Sequence, residues 1–168
     1  VHPEAGHNTE WWPEERGRYE QYVRDHPRVP HPPKISWSTE RVDRYNRFRW
    51  LVIDQLGTRP SDVVFDGPAT LAAALAGGRP PATSRPFGRV DVVRSDQTFT
   101  ARTRGVSEFT ILLSRDVVDF SRPVKVNVNG RVVFEGRVAE HLETLLAWAA
   151  RDNDRTMLYG AALKVAVP

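Results

Sequence analysis

The chain has 168 residues, 40% of them hydrophobic and 27% charged, with a formal charge of +3 and an isoelectric point near 9.6. That length fits one domain, or one domain with a short appendage, and is enough to bury a core without covalent staples. No apolar run approaches the roughly 20 residues that cross a bilayer, so no membrane span is expected, and the absence of cysteine excludes disulfides, thiolate metal sites and cysteine nucleophiles.

Only Lys34, Lys125 and Lys164 among the 24 basic residues are lysines. The cations are scattered, often beside acids, as in Asp43-Arg44, Arg115-Asp116, Arg151-Asp152 and Asp154-Arg155. A nucleic-acid interface would gather them on one face, so no nucleic-acid partner is expected. The first residues, Val1 to Gly6, have neither the basic start nor the apolar stretch of a signal peptide. A chain that opens on valine is expected to be a fragment of a longer protein. The compartment stays open, periplasmic and secreted locations included.

Residues 1–12 read as a loop and 13–25 as a helix. Pro13 suits the first helical position, Glu14 and Glu15 suit the positive end of the helix dipole, and Tyr19, Tyr22 and Val23 share a face. Pro27, Pro30, Pro32 and Pro33 follow as a stiff extended linker. The expected organisation is a leader over residues 1–33 and a second domain over 34–168.

Beyond the linker the apolar period changes from 3.6 to 2. Alternation predicts strands over Ile35–Thr39, Arg89–Arg94 and Thr98–Arg104, around Phe109, Ile111 and Leu113, and around Val124, Val126 and Val128. The run Phe48–Ile53 reads as one buried strand. Residues 57–88, rich in proline and glycine, read as loop, with a short strand at 62–65 and a helical turn over Ala69–Ala76. Asn129-Gly130 between two alternating runs is the strongest hairpin signal in the chain, because both turn residues must accept positive φ. A helix is predicted over 139–151, with Leu142, Leu145, Leu146 and Ala149 on one face, and a final strand runs from Tyr159. The fold class predicted is mainly β: an antiparallel β-sandwich with one helix inserted before the last strand and an N-terminal leader helix.

The chemistry-bearing residues are few. None of the eight serines lies in a Gly-x-Ser-x-Gly elbow. Ser107 follows Gly105-Val106 but sits in a strand context. His2 with His7, and His26 with His31, lack metal-ligand spacing, and no phosphate loop or dinucleotide fingerprint is present. No metal or cofactor is expected. Asp62 with Asp66, and Asp152 with Asp154, read as turn residues. Trp37, Trp50 and Trp148 read as core or core-bordering side chains, and adjacent Trp11 and Trp12 cannot face the same way on a helix. One histidine stands apart: His7 lies in a loop just ahead of a helix. The general-base histidine of an α/β-hydrolase has that position, following serine and acid in chain order.

Gly6-His7-Asn8-Thr9 with Trp11-Trp12-Pro13, then a helix ending near His26-Pro27, resembles the end of the catalytic domain in bacterial prolyl-oligopeptidase-like α/β-hydrolases. Asp43-Arg44-Tyr45-Asn46-Arg47 with Trp50 resembles the β-rich tail of such proteins. The same holds for Pro123–Gly130 with Phe134-Glu135-Gly136, and for Asp154-Arg155-Thr156. The resemblance implies that His7 is the general base of a serine esterase or peptidase. It also implies that residues 34–168 are an accessory domain whose partner is the hydrolase domain of the same parent. Nucleophile, acid and oxyanion donors are missing from this chain. Two rivals remain open: a stand-alone sandwich binding a glycan or a protein, and an assembly domain whose strand edges pair between copies.

Overall fold

In a computed structural model, residues 10–57, 87–152 and 154–168 are described. The short strand expected at 62–65, the helical turn over 69–76, Asp62, Asp66, His2 and His7 lie outside them. The chain divides into two compact units, residues 1–30 and 31–168.

The first unit carries α1, Trp12–Asp25. Pro13 opens it, Glu14 and Glu15 occupy its first turn and Arg24 its last. His26 caps it, its backbone N–H donating to the Tyr22 carbonyl at 3.0 Å. Pairs one turn apart run along its surface, Arg16 to Glu20 at 2.7 Å and Gln21 to Asp25 at 2.7 Å. No residue of α1 is buried.

The second unit is a β-sandwich. One sheet orders its strands β1 (Lys34–Thr39), β4 (Gly88–Ser95), β5 (Thr98–Arg104), β7 (Val124–Val128) and β8 (Arg131–Gly136). The other orders β2 (Arg47–Phe48), β3 (Leu51–Leu56), β6 (Val106–Leu113) and β9 (Ala161–Ala166). The core lies between them. Ile35, Val90, Val92, Phe99, Val124, Val126 and Val128 come from the first sheet, and Leu51, Ile53, Phe109, Ile111 and Val165 from the second, all nearly inaccessible to solvent. Period-2 patterning sends alternate side chains into this layer.

The mainly-β sandwich with its leader helix and its helix before the last strand is therefore as the sequence predicts. One pairing departs from the antiparallel rule. β5 and β7 run parallel, Thr98 beside Lys125 through Ala101 beside Val128. The cause is a change of sheet: Gly105, at φ +58°, lies between β5 and β6, where the chain crosses to the opposite layer. One strand down in the far sheet and a return to the near one leave β7 running the same way as β5. Buried Gln97 ties the returning loop, donating to the Asp119 carbonyl at 2.7 Å and accepting from the Asp119 N–H at 3.0 Å.

The β7–β8 hairpin forms where expected, Val128 opposite Arg131, with Asn129 at φ +50° and Gly130 at φ +84°. The expected strand over Phe48–Ile53 is instead two strands. β2 and β3 fold back on each other around Arg49-Trp50, with Arg49 at φ +53°. An apolar run cannot reveal this turn, because its second residue, Trp50, is itself buried. Residues 31–33 belong to the sandwich rather than to a free linker. His31 is buried, the Pro32 carbonyl accepts from Trp50 Nε1 at 3.1 Å, and the Pro33 carbonyl accepts from the Arg94 N–H at 2.7 Å.

The second helix, α2, spans Leu142–Arg151, shorter than the predicted 139–151. His141 is extended and Glu140 is engaged with Arg115, so neither joins it. Its orientation also differs from the expected leucine face. Trp148 packs on the core and Leu145 is half-buried, whereas Leu142 and Leu146 are 68% and 59% exposed.

Candidate functional site

The described residues bring polar side chains together at one corner of the sandwich, where β6 ends, α2 begins and the chain enters β9. Ser114 follows β6 in a tight turn, its carbonyl accepting from the Val118 N–H at 3.0 Å. The Gly160 N–H reaches the Leu113 carbonyl at 3.0 Å, and the His141 N–H reaches the Gly160 carbonyl at 2.9 Å. These backbone bonds fix the walls of a cavity of about 550 Å3. Leu142, Leu145 and Leu158 give it an apolar side, while Ser114, Asp116, Glu140 and His141 give it a polar one. Arg115 clasps Glu140 through Nε at 2.7 and 2.8 Å, and this hydrogen-bonded guanidinium holds the Glu140 carboxyl below its ordinary range. Gly160 makes room for the clasp: a Cβ there would stand 2.5 Å from Glu140 Oε1.

Serine, carboxylate and histidine meet beside this cavity, but in an order that does not build a nucleophile. Buried Ser114 donates its hydroxyl to Asp116 Oδ2 at 3.2 Å. His31 Nε2 lies 3.4 Å from the same oxygen, within ion-pair range but without a hydrogen bond. A serine hydrolase needs the imidazole between hydroxyl and carboxylate, so that it takes the proton while the acid orients it. Here the carboxylate stands between the other two. Among the described residues no serine hydroxyl is hydrogen-bonded to a histidine. Ser107 donates to the Leu56 carbonyl and Ser121 to Asp119. Nor does any group of three potential metal ligands occur among them.

Behind the cluster sits Tyr159, fully buried, with the His31 ring edge-on at 5.8 Å and the Arg47 guanidinium 5.5 Å from its centroid. Burial pushes its phenol above the ordinary value, and Arg47 partly offsets this. Arg47 continues to Asp152 Oδ2 at 2.6 Å and to the Arg49 carbonyl at 2.7 Å, and it lies over the Trp148 ring at 4.9 Å. Asp152 is the C-cap of α2, and Asp154 accepts from the Thr156 N–H and hydroxyl, which makes these two acids turn residues.

The segment 43–50, one of those that carry the family resemblance, thus has structural duties. Asn46 bonds to Ile53 through both backbone and side chain, Arg47 anchors α2, and Trp50 is buried. The sequence reading missed the Ser114–Asp116–His31 cluster, because its members are far apart in the chain and share no motif. The base expected at His7 lies outside the described residues. No protein-family model, curated protein or solved structure matches this chain.

Proposed function

We propose that this chain is a carboxyl-terminal region of a serine hydrolase resembling the bacterial prolyl-oligopeptidase-like enzymes. The parent cleaves ester or peptide bonds with His7 as general base, and residues 31–168 form an accessory sandwich without catalytic chemistry of its own. The observation that carries this reading is α1. Trp12, Tyr19, Tyr22 and Val23 stand at i, i+7, i+10 and i+11, one face of the helix, and are 39%, 55%, 61% and 49% exposed. A short helix in water draws most of its stability from covering such a face. A catalytic domain that receives α1 as its last helix supplies the cover. The order of the Ser114–Asp116–His31 cluster adds support, since it leaves Ser114 unactivated and no other described serine is hydrogen-bonded to a histidine.

The test needs the gene upstream of Val1 and the full-length protein. A Gly-x-Ser-x-Gly elbow is expected within about 200 residues, the span of one domain. His7→Ala in the full-length protein should abolish turnover of an activated ester, while Ser114→Ala leaves it unchanged. Turnover by residues 1–168 alone that Ser114→Ala removes would overturn the reading, as would an upstream sequence with no elbow.

The alternative of a glycan-binding module gains less from the aromatic side chains. Phe48 stacks on Trp37 with centroids 5.3 Å apart and carries the Arg49 guanidinium 5.5 Å from its own centroid. Trp148 has Arg47 and Arg151 guanidinium groups at 4.9 and 5.0 Å. These rings are already engaged by neighbours.

A further inference from the structure

We propose that the outer face of α2 is a self-association surface whose occupant is a second copy of this chain, helix against antiparallel helix. At about 100° per residue, Leu142, Glu143, Leu146, Ala147, Ala150 and Arg151 fall on one half of the helix. All six are exposed, Leu142 and Leu146 by 68% and 59%. Thr144, Leu145, Trp148 and Ala149 are turned inward on the other half. The outer half is thus leucine and alanine with one charge of each sign, an unusual face to leave in water.

The placement of those charges selects the occupant. Glu143 lies in the first turn and Arg151 in the last. Among the described residues Glu143 makes no hydrogen bond or ion pair, and Arg151 contacts only its own Trp148 ring, at 5.0 Å. A two-fold axis near Ala147 sets Glu143 of each copy against Arg151 of the other, so a single rotation satisfies both pairs. The same register lays Leu146 over Ala147 and Ala150 of the copy, a large side chain against small ones. Parallel helices would oppose like charges instead. The face is only about 15 Å long, below the roughly 800 Å2 per partner of a stable complex. The association is therefore weak and depends on concentration.

Sedimentation equilibrium of the whole chain from roughly 10 µM to 1 mM, the span of weak affinities, tests this. A reversible monomer–dimer equilibrium is expected. Leu146→Glu should leave a monomer throughout, with unchanged circular dichroism because the side chain is outside the core. Glu143→Arg and Arg151→Glu should each weaken the dimer about tenfold, as loss of two surface pairs and new repulsion require, and the doubly exchanged chain should recover it. A monomer at every concentration overturns the proposal. So does a dimer indifferent to Leu146→Glu, and so do charge exchanges that fail to rescue each other.

Discussion

Arg47 and Asp152 are 105 residues apart in the chain and 2.6 Å apart in the fold. One belongs to the two-residue strand β2 and the other caps α2, so a single ion pair pins the helix to the second sheet. Both side chains are about four-fifths buried. Arg47→Met leaves the Asp152 carboxylate without its partner and takes the guanidinium away from Trp148 and Tyr159. The expected loss is about 1–3 kcal/mol, short of a fully buried pair because some water reaches both groups. Urea unfolding of Arg47→Met, Asp152→Asn and the double variant measures it, and the two losses should not add.

Two glycines should respond unequally to alanine. At Gly88 a Cβ would stand 2.5 Å from Leu56 Cδ2 and 2.8 Å from Val106 Cγ2, inside a packed layer. Gly88→Ala should cost about 1–3 kcal/mol as overpacking does. At Gly160 the obstacle is the end of the Glu140 side chain, which can swing away at the expense of its exposed clasp on Arg115. Gly160→Ala should cost less than about 1 kcal/mol. Equal losses in thermal unfolding would contradict this account.

The Asn129-Gly130 turn and the middle of α1 give opposite outcomes for the same substitution. Gly130 holds φ +84°, where a Cβ is unwelcome, so Gly130→Ala should cost about 1–2 kcal/mol in thermal unfolding. Gly17 lies within α1, and a Cβ there meets nothing within 4 Å. Gly17→Ala should raise helicity in far-ultraviolet circular dichroism, by a local gain of up to about 1 kcal/mol.

Asp54 accepts a hydrogen bond from Thr110 Oγ1 at 2.7 Å, yet burial raises its carboxyl above the ordinary value, an effect that the Thr110 bond only partly opposes. The folded state therefore holds the proton more tightly than the unfolded state. Stability from this group is full below the unfolded value of about 4 and is lost as pH rises through the folded one. Asp54→Asn keeps an acceptor for Thr110 and removes the titration. Its stability relative to the parent chain should rise with pH from about 3 and level off by neutrality, as urea midpoints across that range would show. A flat difference would refute the assignment.

The strands were legible because a sandwich buries alternate residues, and alternation is visible in Val124, Val126 and Val128 or in Phe109, Ile111 and Leu113. The Asn129-Gly130 turn was legible because few residue pairs accept positive φ twice. The turn at Arg49-Trp50 was not, since burial of Trp50 hides it within an apolar run. The facing of α2 was not either. Leu142, Leu145 and Leu146 look like one core stripe, but the Arg47–Asp152 pair and the inward Trp148 set the helix so that only Leu145 of the three is half-buried.

The sequence by itself thus determined the sandwich, its hairpin, its two helices and the absence of a serine elbow, all of which rest on local pattern and residue type. Only the tertiary structure decided that β5 and β7 run parallel, because that direction follows from a change of sheet at Gly105. Only it brought Ser114, Asp116 and His31 together, and in an order that leaves the serine without a base. Such contacts join segments far apart in the chain, and no local spacing records them.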